Sequence, residues 1–132
     1  MGSNVDVFVC VTCAADQRWT KENPRPGAGF ADALSAKLAD IKAENITVRQ
    51  VECLAVCKRP HTVALAAEGK WTYLIGDLKA EDHLEDIANA AVAFQQSDNG
   101  LVPWKERPLC FRQGVISRTP PLGFEQPATE QA

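Results

Sequence analysis

The residues best suited to chemistry in this sequence are its cysteines, five in all. Cys10 and Cys13 form a Cys-x-x-Cys in "VCVTC", and Cys53 and Cys57 form a Cys-x-x-x-Cys in "ECLAVC". Cys110 stands apart in "RPLCFRQG". A thiolate is a nucleophile, half of a redox couple, or a soft metal ligand. A dithiol redox motif wants a helix beginning at the pair, so that the helix N-terminus lowers one thiol pKa. "AADQRWTKENPRPG", residues 14 to 27, does not read as a helix. Ligation is the better reading. Each pair follows a β-branched run, so four thiolates converge if the two runs are neighbouring parallel strands. Four soft sulfur ligands select zinc or an iron–sulfur centre.

Those runs define the scaffold. Val5, Val7, Val9 and Val11 alternate with Asp6, Phe8 and Cys10, which predicts a buried strand. Phe30, Leu34, Leu38 and Ile41 recur at helical spacing among alanines, predicting a helix that runs to about Glu44. "ITVRQVEC" reads as the second strand, "TVALAA" as the third and "WTYLIG" as the fourth; Gly69 in "EGK" suits a hairpin between the last two. Asp77 can cap a second helix, with Leu84, Ile87, Ala91 and Phe94 as its buried stripe. The order β-α-β-β-β-α predicts an α/β fold with a four-stranded mixed sheet and helices packed on it. Residues 1–96 are expected to form the metal- or cluster-binding domain. Residues 97–132 read as an irregular extension carrying Trp104, Phe111 and Phe124, packed on the domain or on a dimer partner, with a mobile end.

Composition narrows the function. A chain of 132 residues suits one domain and buries about two thirds of its unfolded surface, so it needs no metal merely to hold a core. The net charge of −3 argues against a nucleic-acid partner. No apolar run reaches the ~18 residues of a membrane span, and "MGSNVDVFVCVTC" lacks the pattern of a secretory signal. A cytoplasmic location follows as the expectation, and thiols there are kept reduced. No P-loop, dinucleotide fingerprint, nucleophile elbow or pair of catalytic carboxylates is found, so the chain reads as an electron carrier or metal-binding protein and not as an enzyme. Val51, Leu54, Ala55 and Val56 supply apolar cover, and Lys58 and Arg59 can offset negative charge; both tilt the choice toward an iron–sulfur centre over zinc.

"CLAVCKRPHTVALAAEGKWTYLIGDL" resembles the second half of thioredoxin-like [2Fe-2S] ferredoxins and of the matching subunit of respiratory NADH dehydrogenases. The chain as a whole resembles a bacterial family of small predicted metal-binding proteins of unknown function. That resemblance rests on "VCVTC", "RPG", "ECLAVCKRP", "GKWTYLIGDL" and "VPWKERP", and spans nearly all of residues 5–121. It implies a thioredoxin-like fold, metal binding and, by extension, a [2Fe-2S] cluster, with a homodimer by analogy. In the ferredoxins a long loop separates the first two ligands, whereas Cys10 and Cys13 are close. The ligand set is expected to be Cys10, Cys13, Cys53 and Cys57; Cys110 reads as a packing residue, with substitution for Cys10 or Cys13 as the alternative. The leading expectation is one-electron transfer with a cytoplasmic enzyme that the sequence does not name. The alternatives are a zinc- or cobalt-binding module for metal sensing or delivery, and a non-redox subunit stabilised by a cluster.

Overall fold

The computed structural model describes residues 4–11, 13–14, 17–18, 28–52, 54, 62–76, 78 and 80–125. The first strand, β1, spans Val5–Cys10. Its alternation is realised in the packing: Val5, Val7 and Val9 are fully buried in the core, while Asp6 and Phe8 on the opposite face are half-buried. Within the loop that follows, β2 (Cys13–Ala14) and β3 (Gln17–Arg18) pair antiparallel as a small separate ladder.

Helix α1 covers Ala28–Asp40 and buries Phe30, Leu34 and Leu38, one side chain per turn. It ends before the expected Glu44. Lys42 adopts a left-handed φ of 61°, and Lys42 N donates to Ala39 O at 3.0 Å while Ala43 N donates to Leu38 O at 2.9 Å. These two closures satisfy the last helical carbonyls and turn the chain away. Ile41 is thereby left outside the buried stripe, 36% exposed. Asn45, also left-handed at φ 64°, accepts the amide of Val5 at 2.8 Å and so starts the next ladder.

Strand β4 (Ile46–Val51) runs parallel to β1 in unbroken register, from Val5↔Ile46 to Cys10↔Val51. Strands β5 (Val63–Ala66) and β6 (Thr72–Ile75) form the expected antiparallel hairpin. Lys70 N closes its turn on Ala67 O at 3.1 Å, and Gly69 supplies φ +75°. Helix α2 (Ala80–Gln96) buries Ile87, Ala91 and Phe94, with Leu84 packed at the margin. Both long helices contact each other and β1, so they cover the same face of the sheet.

Two expectations are corrected. The main sheet has five strands, in the order β4-β1-β5-β6-β7, not four. The segment after α2 is not irregular: it contains a 3-10 turn at Trp104–Glu106, helix α3 (Leu109–Gly114) and strand β7 (Val115–Thr119). β7 is an edge strand with only Val115 and Ile116 apolar, and a register break at Leu74/Ile75 of its partner weakens the pattern further. Val102 and Phe111 enter the core beside Tyr73. The Tyr73 hydroxyl accepts Val102 N at 3.2 Å and Arg107 Nη2 at 3.0 Å, and Arg107 Nε donates to Val102 O at 2.8 Å. A buried phenol and a half-buried guanidinium thus pin this segment to the sheet.

A second pin lies at the C-terminal end of α2. The helix has no basic residue in its last turn. Lys70 of the hairpin supplies the cation instead, with Nζ donating to the carbonyls of Phe94 and Gln95 and lying 5.6 Å from the Phe94 ring centroid. Burial lowers the Lys70 pKa, and the charge of Asp98 partly opposes this. Gly100 closes over the lysine at φ +85°; a Cβ there would sit 2.7 Å from Lys70 Cβ and 3.0 Å from Trp71 N. Gly69, also at positive φ, has nothing within 4 Å of such an atom. Gly100→Ala should therefore lower the urea midpoint more than Gly69→Ala, whose cost is backbone strain alone, of order 1 kcal/mol. Equal losses in the two variants would show that the Gly100 loop moves freely away from Lys70.

Candidate metal centre

The site is built by the end of the sheet. Cys10 closes β1 beside Val51, the last residue of β4. Its amide donates to Thr62 O at 3.1 Å, one residue before β5 begins, and Val11 N donates to Val51 O at 3.0 Å. Residues 10–11, 51–52 and 62 therefore meet at one end of the sheet. Cys10 Sγ lies 3.7 Å from Glu52 O, the carbonyl of the peptide bond that leads into Cys53. Cys10 is 5% exposed, and Val11 beside it is fully buried. A thiol in this position is anchored by ladder hydrogen bonds on two sides and sheltered by apolar neighbours.

Of the four expected ligands, Cys10 is placed in full and Cys13 by its backbone, in β2 opposite Arg18. Cys53 and Cys57 lie outside the described residues, as do Lys58, Arg59, Pro60, His61 and Asp77. Among the described residues no group of three or more His, Cys, Asp or Glu side chains is arranged to hold a metal ion. The structure thus brings the two strand ends together, and the convergence of the four sulfurs is not contained in what it describes. The residues fit a thiolate-bound group to this extent: the sheltered sulfur of Cys10 lies against the carbonyl of Glu52, the residue before Cys53 in the chain.

Cys110 has a different setting. It lies in α3 within the hydrophobic core cluster, 8% exposed. Burial, reinforced by the negative charge of Asp86, pushes its thiol up to about 11. A ligand must be a thiolate, and this environment favours the thiol. Because the folded-state pKa is raised, the thiol's contribution to stability is complete below its unfolded value and is lost as pH rises through about 11. Stability should therefore fall between pH ~9 and ~11, and Cys110→Ala should remove that part of the fall. Urea titrations of both proteins across this range measure it; identical pH profiles would mean that Cys110 ionises freely in the folded chain.

Sequence reasoning missed the roles of Lys70, Tyr73 and Arg107. "GKWTYLIGDL" and "VPWKERP", read as a strand and as motifs of resemblance, also carry the buried Lys70 and the half-buried Arg107 that fasten the hairpin, α2 and the C-terminal segment together.

The described helices are none of them long and apolar enough to cross a membrane. A search of curated proteins finds no match. Among solved structures, the fold is similar to that of a thioredoxin-like [2Fe-2S] ferredoxin from Aquifex aeolicus, with a TM-score of 0.58 over 93% of this chain and 99% of that one. The two share 17% sequence identity, so the likeness establishes a thioredoxin-like α/β fold with a mixed sheet. The family described as proteins of unknown function, DUF1636, matches residues 7–121, and this chain belongs to it.

Proposed function

We propose that this protein holds a [2Fe-2S] cluster on Cys10, Cys13, Cys53 and Cys57 and passes single electrons to or from a cytoplasmic enzyme. The observation that carries the reading is the parallel β1–β4 register, which sets Cys10 beside Val51 and its sulfur 3.7 Å from Glu52 O. The similarity of fold to a ferredoxin supports it. When bound, such a cluster supplies one-electron redox chemistry without a proton or group transfer. The protein's part is positional. The β1 ladder fixes the Cys10 sulfur, because its amide and the following amide are both tied to neighbouring strands. Val9 and Val11, both fully buried, exclude water from this edge. Apolar shelter of this kind is one of the factors that set a cluster's reduction potential.

Visible spectroscopy with iron and acid-labile sulfide analysis of the purified protein tests the cofactor. Sulfide-to-iron charge-transfer bands that bleach reversibly on reduction are the expected result. A colourless protein with stoichiometric zinc, or one with stoichiometric cobalt and no acid-labile sulfide, would instead establish the metal-binding module, and a cluster that resists reduction would establish the non-redox subunit. A serine series then tests the ligands. Replacing Cys10, Cys13, Cys53 or Cys57 should weaken or abolish the bands, while Cys110→Ser should leave them intact. Loss on Cys110→Ser together with survival of Cys10→Ser or Cys13→Ser would overturn the ligand set.

A further inference from the structure

Trp104 is 60% exposed, an unusual position for a tryptophan fixed in place. It opens the 3-10 turn, and its carbonyl accepts Arg107 N at 3.2 Å and Arg112 Nε at 3.0 Å. The guanidinium carbons of Arg107 and Arg112 lie 5.7 and 5.5 Å from its ring centroid. Arg107 is itself held by Val102 O and the Tyr73 hydroxyl, and Arg112 Nη2 reaches Lys105 O at 3.4 Å. The indole is therefore displayed on a rigid platform, not on a loose loop. Lys105 adds a third cation beside it. Lys105, Arg107 and Arg112 together outnumber the single carboxylate of this turn, Glu106, by three to one.

A fixed, exposed tryptophan flanked by three cations and one carboxylate, Glu106, has the composition of an interaction hot spot, and its rigidity leaves little entropy to lose on binding. We propose that Trp104, Lys105, Arg107 and Arg112 form a docking surface for an acidic protein segment that carries apolar side chains among its carboxylates. The charge requirement follows from the local excess of cations, which is opposite in sign to the chain's net charge of −3. That net charge disfavours a long polyanion such as nucleic acid, whose approach is governed by the field of the whole chain. The surface does not depend on what the cysteines bind, so its test and that of the cofactor fail separately.

The probe is a fluorescein-labelled peptide alternating glutamate and leucine, titrated with the full chain and followed by anisotropy. Saturable binding that weakens as salt is raised is expected. Trp104→Ala should weaken it about tenfold or more, and Arg112→Gln several-fold, whereas Lys42→Gln, at the end of α1, should not change it. In the unaltered chain labelled with nitrogen-15, the indole N–H resonance of Trp104 should shift on addition of the peptide, a readout independent of whether the variants fold. Absence of saturable binding, an indole resonance that does not move, or affinity untouched by both substitutions would overturn the proposal. Tighter binding of a single-stranded oligonucleotide of equal charge through the same residues would overturn it in favour of a nucleic-acid surface.

Discussion

The parallel pairing of β1 with β4 is the constraint on which the rest of the structure depends. It is fixed at one end by Asn45 O accepting Val5 N and at the other by Val51 O accepting Val11 N. A slip of one residue would turn Val5, Val7 and Val9 out of the core and bring Asp6 and Phe8 in. Each buried valine contributes about 1.5–3 kcal/mol relative to exposure, so the register is strongly specified by burial alone. The same register determines which peptide the Cys10 sulfur meets. Core packing and the chemistry of the sheet edge are therefore consequences of one alignment.

Two cations extend that frame to the C-terminal segment. Lys70 joins the β5–β6 hairpin to the end of α2, and Arg107 joins the segment after α2 to Tyr73. Both are withdrawn from water in part, and each is compensated by carbonyl or hydroxyl acceptors and aromatic faces in place of a carboxylate. Neutral acceptors of this sort satisfy the donors without burying a second charge. The arrangement leaves the sheet edge near Cys10 free of the residues that do this work. Fastening and candidate chemistry are in this way carried by different parts of the chain.

The family membership and the fold likeness bear on function unequally. A shared α/β architecture at 17% identity establishes how the strands are arranged, and function rests on the groups that the arrangement presents. Here the group placed is the sheltered sulfur of Cys10 at the end of the sheet, which is why a thiolate-bound cofactor is the reading proposed for it.

The sequence by itself determined the order of the main elements from β1 through α2, and it pointed to the candidate ligands. Alternating valines, the Phe30–Leu34–Leu38 stripe and Gly69 in its turn are local patterns, and local patterns are legible because period and backbone preference act over a few residues. It also marked Cys10, Cys13, Cys53 and Cys57 by type and spacing. It did not reveal that α1 stops at Asp40, because the stop is a hydrogen-bonded closure at a left-handed lysine and no glycine announces it. Nor did it reveal β7, whose polar half needs only one partner strand and acquires its order from β6. The depth of Cys110, the burial of Lys70 and the display of Trp104 were likewise decided by tertiary structure. Each depends on residues far apart in sequence meeting in space: Asp86 with Cys110, Phe94 with Lys70, Tyr73 with Arg107. Composition and period carry no record of such meetings, because they are set by how the faces of separate elements pack.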